Sequence, residues 1–329
     1  MPKIFVLGSN SFSGADFVRY ALGEGADVFG ISRSEEPNPV FLPYKWNGNA
    51  DSFAFQRADI NNDLDKILKL VDREKPDYIV NFAAQSMVGQ SWEYPEHWFM
   101  TNAVSITRLF SQLHKRDFLK KYVHITTPEV YGNTSGWIKE DTAFNPSTPY
   151  AVSRAAGDMS LKSYFDNFNF PMVATRAANV YGAGQQLYRI IPRTILFIRL
   201  GKQLELHGGG VSQRSFIHIN DVSDATWKVM LNGKLGDTYH ISTKEIVSIR
   251  QLVELICKKM DVDFDQYVKV GPERIGKDAA YMLDSSKCRK EVAWTDKITL
   301  EQGLEECIDW VDSNLDVLKE QSHDYIHKP

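Results

Sequence analysis

Short runs of apolar, largely β-branched residues alternate with amphipathic stretches through the first half of this 329-residue chain. The runs are Ile4–Leu7, Asp27–Ser32, Ala54–Asp59, Tyr78–Ala83, Tyr122–Thr127 and Met172–Ala177. Between them, Gly14–Leu22, Leu64–Arg73, Asn102–His114 and Tyr150–Phe165 space their apolar residues as helices do. Strand–helix alternation of this kind predicts a parallel sheet with helices on both faces. Right-handed crossovers make it a doubly wound α/β sheet with a crevice at its carboxyl edge. After about Ala178 glycines and prolines break the rhythm, and only Ile249–Met260 and Leu300–Asn314 read as clear helices. The expected division is a main domain of residues 1–178 plus about 214–243, where Phe216–Ile219 reads as a strand and Asp221–Leu231 as a helix. Residues 179–213 and 244–329 form a smaller lobe.

Composition excludes several classes of function. A net charge of -4 without a dense Lys/Arg stripe argues against nucleic acid as the main partner. The apolar run Ile190–Leu200 is interrupted by Pro192, Arg193 and Arg199 and cannot span a bilayer, so no membrane is expected. A strand beginning at Lys3 leaves no room for a signal peptide. Cys257, Cys288 and Cys307 lack metal-ligand spacing, so they read as reduced, mostly buried thiols of a cytoplasmic protein. No metal is expected; His124 and His218 read as core or strand residues, Trp92 and Trp98 as packing residues. The polar tail Ser322–Pro329 is expected to be loosely held.

Three segments carry chemistry. Gly8-Ser9-Asn10-Ser11-Phe12-Ser13-Gly14 joins the first strand to the first helix, where glycines let backbone N–H groups approach a pyrophosphate at a helix N-terminus. The second strand ends in Ser32-Arg33-Ser34 with no acid before Glu35. An acid there binds a ribose 2′-hydroxyl and an arginine accommodates a 2′-phosphate, so NADP is favoured, with NAD as the alternative. Finally, Tyr150 and Arg154 lie one helical turn apart, beyond a hydroxyl at the end of a buried strand. A fixed positive charge favours the phenolate and is expected to lower the tyrosine pKa toward working pH.

His124-Ile125-Thr126-Thr127-Pro128-Glu129-Val130-Tyr131-Gly132, the loop Asn145–Pro149 and Tyr150-Ala151-Val152-Ser153-Arg154 together resemble the extended short-chain dehydrogenase/reductase family, in particular its nucleotide-sugar 4,6-dehydratases. The resemblance covers nearly the whole chain and implies a Rossmann sheet with a substrate lobe. It implies that Thr127 hydrogen-bonds a sugar 4-hydroxyl and Tyr150 takes its proton as hydride leaves C4. It also implies that Arg154 holds the nicotinamide ribose, that Asn102 supports the site, and that Glu129 works on C5 and C6. Gly8, Ser11, Phe12 and Gly14 would hold the dinucleotide with Ser32, Arg33, Ser34, Asp59, Ile60, Ala83 and Ala84. Gln85, Ser86, Asn179, Arg193, Arg214 and Arg274 would hold a nucleotide-diphosphate sugar. Four positions depart from the family pattern: Ser11 replaces a glycine, Arg154 a lysine, Pro128 an aspartic acid of the glucose-type enzymes, and Ala280 a second arginine.

The leading expectation is a nucleotide-sugar 4,6-dehydratase that oxidises C4 transiently and loses water across C5 and C6. An epimerase or 4-dehydrogenase, and a non-catalytic nucleotide-binding member of the family, are the alternatives. Asn102–His114 and Tyr150–Phe165 resemble the helices that pair across a two-fold axis in this family. The expectation is a homodimer, its apolar faces including Leu109, Leu113, Met159 and Leu161, with packing on the sheet as the alternative for the same residues.

Overall fold

A computed structural model describes residues 1–46, 53–272 and 282–329. Seven strands form one parallel sheet: β1 Lys3–Leu7, β2 Asp27–Ser32, β3 Phe53–Arg57, β4 Tyr78–Asn81, β5 Lys121–Thr126, β6 Met172–Ala177 and β7 Thr238–Ile241. Their spatial order is β7-β6-β5-β4-β1-β2-β3, and every pairing is parallel. The six expected runs are all strands. The third stops at Arg57, the fourth at Asn81 and the fifth at Thr126, so Asp59, Ala83 and Thr127 stand just beyond the carboxyl edge. β7 lies in the stretch expected to return to the main domain, although the strand read in that stretch was Phe216–Ile219 and none was read at Thr238–Ile241.

The strands are continuous apolar runs because both sheet faces are covered. Alternation along β1 sends Ile4 and Val6 to one side and Phe5 and Leu7 to the other. The first side packs on α1 (Phe12–Gly23) and, later in the chain, on a helix at Ile219–Asn232, through Ala15, Val18, Val222 and Val229. The second packs on α2 (Leu64–Glu74), α3 (Ile106–Leu113) and α4 (Pro149–Phe168), through Ile67, Leu70, Leu109, Phe110 and Leu161. The expected helix Asn102–His114 is in fact two pieces. A wider π-turn covers Met100–Ser105, and regular α-helix starts only at Ile106. Such turns bulge a helix where a side chain must be re-aimed, and Asn102 sits on this one.

The lobe has its own apolar core, drawn from α5 (Ile190–Arg199), α7 (Ile249–Lys259) and α8 (Leu300–Ser313); α6 is the helix Ile219–Asn232. α7 and α8 both start in a capping box, Ser248 with Gln251 and Thr299 with Gln302. Each box satisfies two backbone donors that a helix start leaves open. Part of the segment expected in the lobe belongs elsewhere. Cys288, Val292 and Trp294 pack into the α1/α6 core, and the Trp294 indole donates to the Asp221 carbonyl at 2.9 Å. Burying a large indole with its one donor satisfied is favourable wherever the chain can reach. Cys257, Cys288 and Cys307 are all buried and free. Among the described residues, no helix is long and apolar enough to cross a membrane.

Candidate active site

Strand order reverses between β1 and β4, and there the chain opens a crevice at the carboxyl edge of the sheet. Gly8 has φ +80°, and a Cβ on it would stand 2.7 Å from the Ala83 nitrogen. A Cβ on Gly14 would stand 2.2 Å from the Gly8 carbonyl oxygen. Both glycines are therefore required for the turn to lie against the end of β4. Ser11 is not a defect in this turn: with φ -72° it needs no glycine, and it serves as the N-cap of α1. Its hydroxyl accepts from the Gly14 N–H at 3.1 Å and donates to the Gly8 carbonyl at 2.7 Å. A cavity of about 460 Å³ follows, lined by Gly8, Ser11, Ser32, Asp59 and Ala83, with Lys328 on its outer side. Phe12 packs into the core beneath it, and Ile60 is buried at its floor. Ser32 accepts the Asn10 N–H at 2.9 Å, while Arg33 donates to the Pro329 carbonyl at 2.7 Å.

At the other end of the edge, Thr127 caps a tight turn at Pro128–Tyr131, and its hydroxyl accepts from the Glu129 N–H at 3.3 Å. Pro128 occupies the first position of that turn, which suits a residue without an N–H. Thr148 and Pro149 start α4 in the same manner, the Thr148 hydroxyl accepting from Ala151 at 3.1 Å. That cap points Tyr150 inward, where Thr127 is hydrogen-bonded to it and the charges of Glu129, Arg154 and Arg189 act on it. The expected effect on its acidity is corrected here. Burial raises the Tyr150 pKa, Arg154 opposes it and Glu129 adds to it; burial prevails, and the phenol stays above its ordinary value.

Arg154 is almost wholly buried and donates to the Ile125 carbonyl. Its Nε and Nη1 are buried with no protein partner among the described residues. Asn102 holds the loop after β4 in place: its amide oxygen accepts from Gln85 N, and its nitrogen donates to Gln85 O and the Ser153 hydroxyl, all at 2.9–3.0 Å.

Below this group lies a charged cluster that the sequence reading missed. The Asp158 carboxylate accepts from Arg176 at 2.8 Å and from the Thr126 hydroxyl at 2.8 Å, with His124 Nε2 at 3.5 Å. Arg176 also donates to the Tyr131 hydroxyl, which lies 2.8 Å from His240 Nε2. Burial pushes the Asp158 carboxyl up, but His124, Arg176 and Arg154 outweigh it and hold it well below the usual range. Burial and the nearby Arg176 bring His240 down to about 3, and burial keeps His124 low as well. One sign was available in sequence, since Asp158 is one turn beyond Arg154 on the same helix face.

The candidate sugar-nucleotide residues are less concentrated. Gln85 is buried at the crevice and Ser86 beside it is exposed. Asn179 begins the short strand Asn179–Tyr181, paired with Phe216–His218 at the domain boundary. Arg193, on α5, faces Asp324 at 3.4 Å, and Arg214 bonds the Gln213 carbonyl at 2.8 Å. Arg274 lies outside the described residues. Trp98 is buried as expected, whereas Trp92 is half-exposed.

The buried histidines give the stability a pH dependence. His240 has an ordinary pKa of about 6.5 when unfolded. Its folded value of about 3 means that its contribution is complete above the unfolded pKa and drains away as pH falls toward the folded one. Urea unfolding at several pH values between 6.5 and 4.5 should show stability falling with pH. In His240→Gln that slope should be shallower by up to about 1.4 kcal/mol per pH unit. Equal slopes in the two proteins would contradict the neutral buried imidazole.

The fold and site have clear relatives. The sequence model of the family described as GDP-mannose 4,6 dehydratase matches residues 5–307. The dTDP-glucose 4,6-dehydratase of Streptomyces niveus is 31% identical, over 95% of this chain and 93% of its own. The crystal structure of DesIV, a dTDP-glucose 4,6-dehydratase from Streptomyces venezuelae with NAD and TYD bound, superposes with a TM-score of 0.88 at 26% identity, covering 95% of this chain and 98% of that one. A UDP-glucuronic acid 4-epimerase from Bacillus cereus in complex with UDP-glucuronic acid and NAD has a TM-score of 0.84 at 27% identity, covering 94% and 99%. The chain belongs to the GDP-mannose 4,6 dehydratase family, among the nucleotide-sugar 4,6-dehydratases of the extended short-chain dehydrogenase/reductases.

Proposed function

We propose that the protein is a nicotinamide-dependent nucleotide-sugar 4,6-dehydratase in which Thr127, Tyr150 and Glu129 act on one hexose ring and Arg154 acts on Tyr150 and the cofactor ribose. The observation that carries this reading is the grouping of Thr127, Glu129 and Arg154 around the buried Tyr150. The crevice fits a dinucleotide on two counts. The Gly8–Gly14 turn has no room for a Cβ at either glycine. Arg154 keeps two buried nitrogens, Nε and Nη1, without a partner among the described residues, which ribose hydroxyls would satisfy. A nicotinamide bound there would supply the hydride acceptor for C4 and the hydride donor for C6.

Each protein group then has a defined task. Thr127 holds the C4 hydroxyl, and Tyr150 removes its proton as C4 becomes a ketone. The ketone acidifies the C5 hydrogen, and the Glu129 carboxylate takes that proton. The carboxylic acid so formed gives the proton to the C6 hydroxyl, which leaves as water with a C5–C6 double bond formed, and Glu129 is a carboxylate again. C6 then takes the hydride back, C5 takes a proton that exchanges with solvent, and Tyr150 returns its proton to solvent, so the C4 ketone is kept. No acid stands at Pro128, so Glu129 performs both transfers. An epimerase acting at C4 alone leaves Glu129 without such a task. For the cofactor we favour NADP, on Ser32, Arg33 and Ser34 at the rim of the cavity; the NAD bound in the solved relatives supports NAD as the alternative.

The test is incubation with GDP-, dTDP-, UDP- and CDP-hexoses in deuterated water, read by mass spectrometry. Loss of water with deuterium gain is expected for at least one. Glu129→Gln should lower that dehydration by about 10²–10⁴-fold while dinucleotide binding persists. Binding of several sugar nucleotides without dehydration of any, or isotope gain without water loss, would overturn the reading.

We further propose a homodimer through α3 and α4, on a corrected set of residues. Leu109, Leu113 and Leu161 are buried on the sheet side and unavailable. The exposed apolar residues are Met100 and Val104 on the π-turn that leads into α3, and Val152, Met159 and Phe168 on α4, with Met159 63% exposed. Light scattering at micromolar concentration should give a dimer mass, and Met159→Glu with Val104→Glu a monomer. A monomeric parent protein would overturn the proposal.

A further inference from the structure

The tail expected to be loose is instead an extended strap laid across the mouth of the cofactor crevice. Burial alternates along it: His323, Tyr325 and His327 are half-buried against the protein, while Ser322, Asp324 and Ile326 are exposed, and exposed Lys328 turns its ammonium back to the crevice. Each inward ring meets an aromatic partner. His323 lies edge-on to Phe197 of the lobe at 5.2 Å between centroids, and Tyr325 lies edge-on to Tyr188 at 5.4 Å. His327 stacks at 5.1 Å on Trp98, on His97 and on Tyr94, and its Nε2 is 2.8 Å from His97 Nδ1. Edge-on and stacked ring pairs at these separations are favourable geometries. The first two contacts are to the lobe side and the third is to the segment before α3, so the strap ties the two sides of the crevice together.

The strap then reaches the ribose end of the crevice. The Gln85 side chain donates to the Lys328 carbonyl at 2.7 Å, and the Lys328 ammonium lies 3.3 Å from the Ser34 hydroxyl. Arg33 donates to the Pro329 carbonyl at 2.7 Å. Lys328 and Tyr188 both line the 460 Å³ cavity together with Gly8, Ser32 and Asp59. A dinucleotide seated there would have the strap as its outer wall.

We propose that residues 323–329 form the outer wall of the dinucleotide pocket, and that Lys328 is a specificity-determining residue that joins Arg33 and Ser34 around the adenosine ribose. This rests on the dinucleotide-binding reading above. An ammonium beside Ser34 adds a charge-assisted donor for a 2′-phosphate and little for a 2′-hydroxyl. The aromatic clasp has to open before the cofactor leaves, so the strap slows release of NADP and NAD alike.

The test compares the full chain with a variant ending at Gln321, with Lys328→Ala and with His327→Ala. Release rates and dissociation constants are read from the fluorescence of NADPH and NADH, and circular dichroism checks folding. Removal of residues 322–329 should speed release of both cofactors by about tenfold or more, and His327→Ala should move in the same direction. Lys328→Ala should weaken NADPH by about tenfold and leave NADH unchanged. Wild-type release rates after both truncation and His327→Ala would overturn the wall. An equal effect of Lys328→Ala on both cofactors, or none, would overturn the assignment of Lys328. If the full chain binds neither cofactor, the dinucleotide reading fails and the strap's role falls with it; a full chain that binds tightly with an indifferent strap refutes this inference alone.

Discussion

The position of Tyr150 depends on how α4 is fastened to the sheet. One turn after the tyrosine, Arg154 bonds the Ile125 carbonyl at the end of β5. One turn further, Asp158 accepts from Thr126 of β5 and Arg176 of β6. Gly157 lies between them because a side chain there would meet the Asn102 carbonyl at 2.3 Å. The helix is thus held by buried, directional contacts on the side that faces the strands. A purely apolar face would leave it freer to slide or rotate. Buried charges of this kind are costly to desolvate, and removing one partner strands the other. Here they sit below a row of reactive groups, where fixed geometry has functional value.

The same burial sets the chemistry. A phenol held in a dry pocket resists ionisation, and the cation one turn away only partly offsets this. Arg154 cannot copy an ammonium atom for atom, since a guanidinium is planar and broader. It retains the charge, however, and its Nε and Nη1 are buried without a protein partner among the described residues, so they remain open to a ribose hydroxyl. Replacement of lysine by arginine therefore leaves both tasks of that position with a physical basis in this chain.

Much of this was legible in the sequence, and the limits have physical causes. Local signals were reliable: period-two and period-3.6 patterns gave six of the seven strands and the main helices, whereas Thr148 and Pro149, read as loop, are the cap and first residue of α4. The Gly8–Gly14 turn was legible despite Ser11, whose capping role shows only in three dimensions. Contacts between distant segments were not legible. Nothing in the spacing of His124, Tyr131, Asp158, Arg176 and His240 pairs them, because the crossovers of the sheet bring them together. The net direction at Tyr150 was misjudged because charge proximity is visible in sequence and desolvation is not. Leu109, Leu113 and Leu161 suited either an interface or the sheet by sequence, and it is the sheet that buries them. The strap was passed over because its polar composition hid a period-two row of rings.

The central claim is that Arg154 opposes burial at Tyr150 and so lowers the pH at which the tyrosine can take the C4 hydroxyl proton. The most direct measurement is the pH dependence of the first half-reaction, followed in single turnovers by nicotinamide fluorescence, in the parent protein and in Arg154→Gln. The rate should rise with pH in both, and the midpoint in Arg154→Gln should lie higher by about one unit or more. An unchanged midpoint in the folded, cofactor-binding variant would contradict the account.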